Sequence, residues 1–184
     1  MAFGFVILLL IVGGLVFLGV MYNTLVGLRV RADSSWSDID VQLKRRHDLI
    51  PNLVETVKGY AGHEKTTFEN VTKFRSMAMQ ATGPAERAEA EGQLTMALKS
   101  LFAVAENYPQ LRASENFSSL QKSLAEIEDN LQNARRYYNA VVRDLNTAIQ
   151  SFPSNLVAGM FGFQQKAFFE LGSAAEREAP AVKF

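Results

Sequence analysis

The sequence predicts an all-α protein, with an N-terminal transmembrane helix followed by an antiparallel four-helix bundle of long helices. Three observations carry that prediction. Residues 2–28 hold no charged side chain and residues 3–21 are almost wholly apolar, enough for a helix across a hydrocarbon layer of ~30 Å. In residues 117–152, Phe117, Leu120, Leu124, Ile127, Leu131, Ala134, Tyr138, Val141, Leu145, Ala148 and Phe152 recur at spacings of 3 and 4 without a break. That is the seam of one helix about 54 Å long. Three more stretches with helical periodicity lie between these two, joined by short links, as an up-and-down bundle requires. The corresponding domains are 1–31 for the anchor and juxtamembrane segment, 32–153 for the bundle, and 154–184 for a short apolar segment and tail.

The anchor reads as uncleaved. No Lys or Arg precedes the apolar run, which is also long for a signal peptide, and the one tempting cleavage site, Val30-Arg31-Ala32, lies well past its end. Tyr22 falls where an interfacial aromatic belongs, and Gly13, Gly14 and Gly19 offer places for helices to approach closely. Arg29 and Arg31 just behind the span favour an outside N-terminus and a cytoplasmic bulk, although Asp33 and Asp38 oppose them.

Residues 33–61 read as an amphipathic helix with Trp36, Ile39, Leu43, Ile50, Leu53, Val54, Val57, Tyr60 and Ala61 on one stripe. Either Ser34 or Ser35 caps its start, or the anchor runs into it as a single rod. Pro51 lacks the amide that would bond the carbonyl of His47 and favours a bend. The dense basic run Lys44, Arg45 and Arg46 would lie 20 Å or more beyond the headgroups on a continuous helix. It is expected to be a solvated or partner-facing patch rather than a lipid clamp. After the break at Gly62, residues 63–80 carry Phe68, Val71, Phe74 and Met77 or Ala78 on a shorter helix. Thr82-Gly83-Pro84 is a turn, with Pro84 placed to open the next helix. Residues 85–107 set Leu94, Leu98, Leu101, Ala105 and Tyr108 on one face until Pro109 stops them, and Ser114 caps the long helix, which Pro153 ends. Residues 155–163 are apolar and glycine-punctuated but too short to span a bilayer. With Phe168, Phe169 and Phe184 beyond them, they either wrap the bundle or offer an aromatic surface, led by Phe161 and Phe163, to a partner.

Composition excludes more than it assigns. Lys plus Arg and Asp plus Glu each total 19, so net charge is zero and no basic excess points to nucleic acid. The absence of cysteine removes disulfides, thiolate metal sites, a cysteine nucleophile and a lipoprotein anchor. Only His47 and His63 are present, with no His-x-x-x-His pair, and both are expected in structural or solvent roles. Asp38 and Asp40, two apart on a helix, point to different faces. Glu126 and Asp129 are neighbours, but no second acidic helix completes a di-metal bundle. No glycine-rich phosphate loop or nucleophile elbow exists. The reading is therefore no enzyme, no catalytic, cofactor or metal residues, and no cofactor. The candidate partner surface is Lys44, Arg45, Arg46, Arg135, Arg136, Phe161 and Phe163. For Arg135 and Arg136, around the seam residue Tyr138, two readings stand. They pair with Asp38, Asp40 or Glu55 and fix register, or they form an Arg/Tyr surface for a partner.

Several blocks resemble the LemA family. These are Tyr22-Asn-Thr-Leu-Val26, the block from Ser35-Trp-Ser-Asp38 through Ile50-Pro-Asn-Leu53 to Gly59-Tyr-Ala61, then Glu106-Asn-Tyr-Pro109, Arg135-Arg-Tyr-Tyr-Asn139 with Arg143-Asp-Leu-Asn146, and Phe152-Pro-Ser-Asn155. The resemblance covers nearly the whole chain and implies a bacterial inner-membrane protein with one N-terminal span, a four-helix bundle and no established enzymatic activity. It also implies relatives associated with membrane remodelling, magnetosome membranes included, and with a neighbouring membrane-bound zinc metalloprotease. The expected function is a non-catalytic, single-pass membrane scaffold or adaptor that self-associates. The alternative is an accessory or regulatory subunit of that metalloprotease.

Overall fold

A computed structural model describes residues 2–170. Among them the chain forms six helices and no strand: α1 (Ala2–Lys58), α2 (Lys65–Gln80), α3 (Gly83–Glu106), α4 (Pro109–Arg112), α5 (Glu115–Gln150) and α6 (Ser154–Met160). The expected all-α class is what the chain adopts. It divides into two compact units, one of Met1–Ile39 with Ala134–Ala167 and the other of Asp40–Asn133 with the residues from Phe168 onward. Phe184 lies outside the described residues.

The anchor and the second helix are one rod of 57 residues, and Pro51 is inside it. Neither Ser34 nor Ser35 caps a new helix, because α1 runs unbroken through both. Ser35 Oγ donates to the Ala32 carbonyl at 3.0 Å and Ser37 Oγ to the Asp33 carbonyl at 3.2 Å. A hydroxyl bonded back into its own helix is compatible with continuation. Pro51 leaves the His47 carbonyl without its helical donor, and Arg75 of α2 supplies the replacement, its Nε donating to that oxygen at 2.7 Å. Arg75→Met is therefore expected to cost about 1.5–3 kcal/mol, the worth of a hydrogen bond to a charged group. In a Pro51→Ala background, where the helix supplies its own amide, the loss should largely vanish. Urea midpoints of the four proteins in mild detergent measure this coupling, and equal costs in both backgrounds would refute it.

The second unit is the bundle. Its core joins Ile50, Leu53 and Val57 of α1, Phe68 and Val71 of α2, Leu94, Leu98 and Leu101 of α3, Leu111 of α4, and Phe117 and Leu124 of α5. Cross-helix pairs give the directions. Arg87 bonds Asp40 and Arg46 bonds Glu91, so α3 follows the direction of α1. Arg75 meets His47 and Lys58 lies over the Phe68 ring, so α2 runs against it. Glu128 approaches Arg46 while Phe117 meets Phe102, so α5 runs against α3. This is up-down-up-down topology.

Gly83 opens α3 at φ +75°, a left-handed position where a side chain would be strained. Glu86 reaches back to the amide and hydroxyl of Thr82 at 3.0 and 2.9 Å. Accepting those bonds holds its carboxyl below the usual range. Pro109, expected as a stop, also opens the short α4, where its missing amide is harmless.

In the first unit the N-terminal part of α1 is exposed on its apolar sides, a helix long and apolar enough to cross a membrane. Leu25 is fully buried against Val157 and Ala158 of α6, with Leu18, Met21, Ala148, Ile149 and Phe163 around them. The post-Pro153 segment thus packs on the end of the apolar run of α1. The α5 seam is buried at Leu131, Tyr138, Val141 and Leu145, but the helix ends at Gln150 and leaves Phe152, expected on the seam, exposed.

Candidate functional site

Within the first unit, the residues after α6 form a strap held by side chains of α5 and α1. Asn146, buried on the i, i+4 row of Tyr138 and Val142, holds the main chain of one residue at both its amide and its carbonyl. Its Nδ2 donates to the Lys166 carbonyl and its Oδ1 accepts the Lys166 amide, each at 2.9 Å. Tyr138 Oη donates to the Ala167 carbonyl at 2.9 Å while its ring lies 5.3 Å from that of Trp36. Burial, and secondarily the Asp33 carboxylate, push the Tyr138 phenol upward, which keeps it a proton donor to the strap. Lys166 Nζ closes the strap on Asp33 at 2.7 Å.

The same unit gathers three aromatic rings at the end of the apolar run. Tyr22 lies 4.8 Å from Phe161 and 5.8 Å from Phe163, and the Arg29 guanidinium sits 5.3 Å over the Phe163 ring. Such contacts add about 0.5–1.5 kcal/mol each beyond burial.

Within the second unit, the bundle core holds a charged cluster. The Glu91 carboxylate is 1% exposed. It accepts from Arg46 Nη1 at 3.0 Å and stands 2.6 Å from His47 Nε2. With Glu91 paired to Arg46 as a carboxylate, His47 presents Nε2–H to it. Arg46 Nη2 donates to Thr95 Oγ1 at 2.8 Å and comes within 3.6 Å of Glu128. Both terminal guanidinium nitrogens of Arg46 and the His47 Nε2 meet acceptors, the kind of pairing on which a buried ion pair depends. Among the described residues no three His, Asp or Glu side chains gather as a metal site. A groove of about 300 Å³ between α2 and α3 is lined by residues such as Thr67, Phe74, Gln93 and Met96 and carries no titratable side chain.

These positions revise the sequence-derived surface. Lys44 and Arg45 are exposed, but Arg46 is turned into the bundle core because it occupies the stripe slot between Leu43 and Ile50. It is an internal ion-pair residue, not part of a basic patch. Phe163 packs inward on Tyr22 and Arg29, whereas Phe161 remains 56% exposed. Arg136 is exposed and Arg135 half-buried. Among the acidic residues expected opposite them, Asp40 is paired with Arg87. Lys44 and Arg45 belong to the second unit, while Arg135, Arg136, Phe161 and Phe163 belong to the first. No site role for Glu91 or Asn146 follows from the sequence pattern alone, although each is a polar residue in an otherwise apolar helical slot.

Similarity to known proteins fits this architecture. Magnetosome protein MamQ 2 of Paramagnetospirillum magneticum is 27% identical over 175 residues, covering 81% of this chain and 64% of that protein. Magnetosome protein MamQ of Magnetospirillum gryphiswaldense is 25% identical over 174 residues, with 80% and 64% covered. Protein LemA of Metamycoplasma hominis is 27% identical over 131 residues, with 69% and 58% covered. The chain thus spans less than two thirds of the length of these relatives. The LemA family profile matches residues 35–184, which is most of the sequence, and the chain belongs to the LemA family.

Proposed function

We propose that this protein is a non-catalytic, membrane-anchored helical scaffold or adaptor of the bacterial inner membrane, acting by self-association and protein contacts in membrane organisation. The observation that carries this reading is α1. One unbroken helix has an uncharged, outward-apolar first part and supplies a wall of the bundle core with its last part. A lipid-soluble stretch in the same helix as part of a packed domain tethers that domain to a bilayer. The magnetosome names of the relatives support a role in membrane organisation. The buried charges support a structural rather than catalytic use, since Glu91 is fully engaged by Arg46 and His47. The second unit offers the exposed Lys44 and Arg45 to a partner, and the first the exposed Arg136.

The mass of the gently solubilised full-length protein tests the reading. A discrete homo-oligomer is expected, and a monomer would sink the self-association. A stable complex with a membrane zinc metalloprotease in place of the oligomer would put the accessory-subunit reading first.

Arg29 and Arg31, just behind the span, support a cytoplasmic location for the bulk of the chain. Because the chain has no cysteine, Met96→Cys, at a side chain 64% exposed in the bundle, reports the side directly. An impermeant maleimide should label it only after spheroplasts are opened, and labelling of intact spheroplasts would reverse the orientation.

A further inference from the structure

We infer that the turn from Phe152 through α6 to Phe161 is a second membrane contact, an uncharged apolar wedge that enters the same leaflet as the end of the α1 span. This inference rests on the reading of α1 as a membrane helix. The inner face of α6 is occupied: Val157 and Ala158 pack on Leu18, Met21 and Leu25 of α1. The outer face is open and apolar, with Phe152 79%, Leu156 59%, Met160 70% and Phe161 56% exposed. Four large apolar side chains in one short turn exceed the scattered exposure ordinary on a surface that faces water.

Depth identifies what covers them. The apolar run 3–21 is about 30 Å long as a helix, the thickness of a bilayer core. The Phe161 ring stands 4.8 Å from Tyr22, one residue past that run, and α6 leans on its last turns. The wedge is therefore level with the end of the span, where the acyl region meets the headgroups.

Charge marks the same level on three segments of the unit. On α1 there is no charge before Arg29. On α5 and the following turn there is none between Asp144 and Lys166. Arg29 lies over Phe163, and Lys166 pairs with Asp33. The charges thus begin where the apolar surface stops, and the exposed face of α6 continues the lipid-facing surface of α1 sideways. An interfacial segment of this kind binds by apolar area alone, so anionic lipid should not be required.

The test uses the full-length protein in vesicles of phosphatidylcholine, with and without phosphatidylglycerol. Single cysteines replace Val12, Leu156, Met160 or Met96 and carry an environment-sensitive fluorophore. Lipids with a shallow nitroxide should quench the labels at 156 and 160, and lipids with a deep one the label at 12, equally in both lipid mixtures. Aqueous iodide should quench only the label at 96. If 12 is quenched by lipid while 156 and 160 respond to iodide like 96, the wedge is overturned and the anchor stands. Labels at 156 and 160 shielded from both quenchers mean that a protein surface covers the face, which also overturns the wedge. A label at 12 that lipid does not quench overturns the membrane reading of α1 itself.

Discussion

Glu91→Leu is expected to lower the unfolding free energy of the full-length protein by roughly 3–5 kcal/mol, the usual cost of removing one partner from a buried ion pair. The side chain is buried and serves two donors at once, Arg46 at 3.0 Å and His47 at 2.6 Å. Its loss leaves a guanidinium in the core with only Thr95 and the more distant, partly exposed Glu128 to meet it. The penalty lies in the orphaned charge rather than in the value of the pair, so the sign changes when the charge leaves too. A triple replacement, Glu91→Leu with Arg46→Met and His47→Phe, should return to within about 1–2 kcal/mol of the parent or exceed it, as apolar replacements of buried ion pairs often do. Denaturant titration in mild detergent reads both results. A single variant as stable as the parent would mean that water reaches Arg46 and that the cluster is not a sealed one. If the triple variant is stable but no longer self-associates, the cluster specifies an arrangement that the scaffold needs.

What the sequence shows and hides follows from how each signal is encoded. The α5 seam is legible because apolar side chains at spacings of 3 and 4 have one meaning on a helix of 36 residues. Its terminus is less so, because Phe152 keeps the spacing after the backbone has stopped being helical. Pro51 declares an orphan carbonyl at His47 from covalent chemistry alone, yet nothing local names Arg75, 28 residues on, as the donor. Arg46 was hidden by its neighbours. Three cations in a row look like a solvated face, but Leu43, Arg46, Ile50, Leu53 and Val57 keep the seam spacing, as do Glu91, Leu94, Leu98, Leu101 and Ala105 on α3. An opposite charge in a seam slot on each of two helices is a signature of a buried pair, and it becomes readable only once the helices are known to be neighbours. The strap was invisible for a related reason: residues 164–167 have no periodicity, and their fixing points are the Asn146 and Tyr138 side chains acting on main-chain atoms.

Two carboxylates in the middle of the apolar run should detach the protein from the membrane core. Val12 and Val16 lie one turn apart near its centre, both with exposed side chains, so Val12→Asp with Val16→Asp puts two charges where lipid is expected. The twelve Leu, Ile, Val and Phe residues that the double variant keeps in the run favour insertion by roughly 4–7 kcal/mol, and two central Asp residues oppose it by about 5–7 kcal/mol. The balance falls near zero or against the bilayer, and helix α1 can still continue, since Asp on an exposed helical face costs well under 1 kcal/mol of propensity. The double variant should become extractable by alkaline carbonate while the parent resists it. Neither residue belongs to the bundle core, so an unchanged denaturant midpoint for that core separates lost anchoring from lost folding. Full carbonate resistance in a folded double variant would mean that α1 is not the membrane-spanning element. Release by carbonate with continued sedimentation on vesicles at neutral pH would show that a peripheral contact remains, and the Phe152, Leu156, Met160 and Phe161 face is where that contact lies.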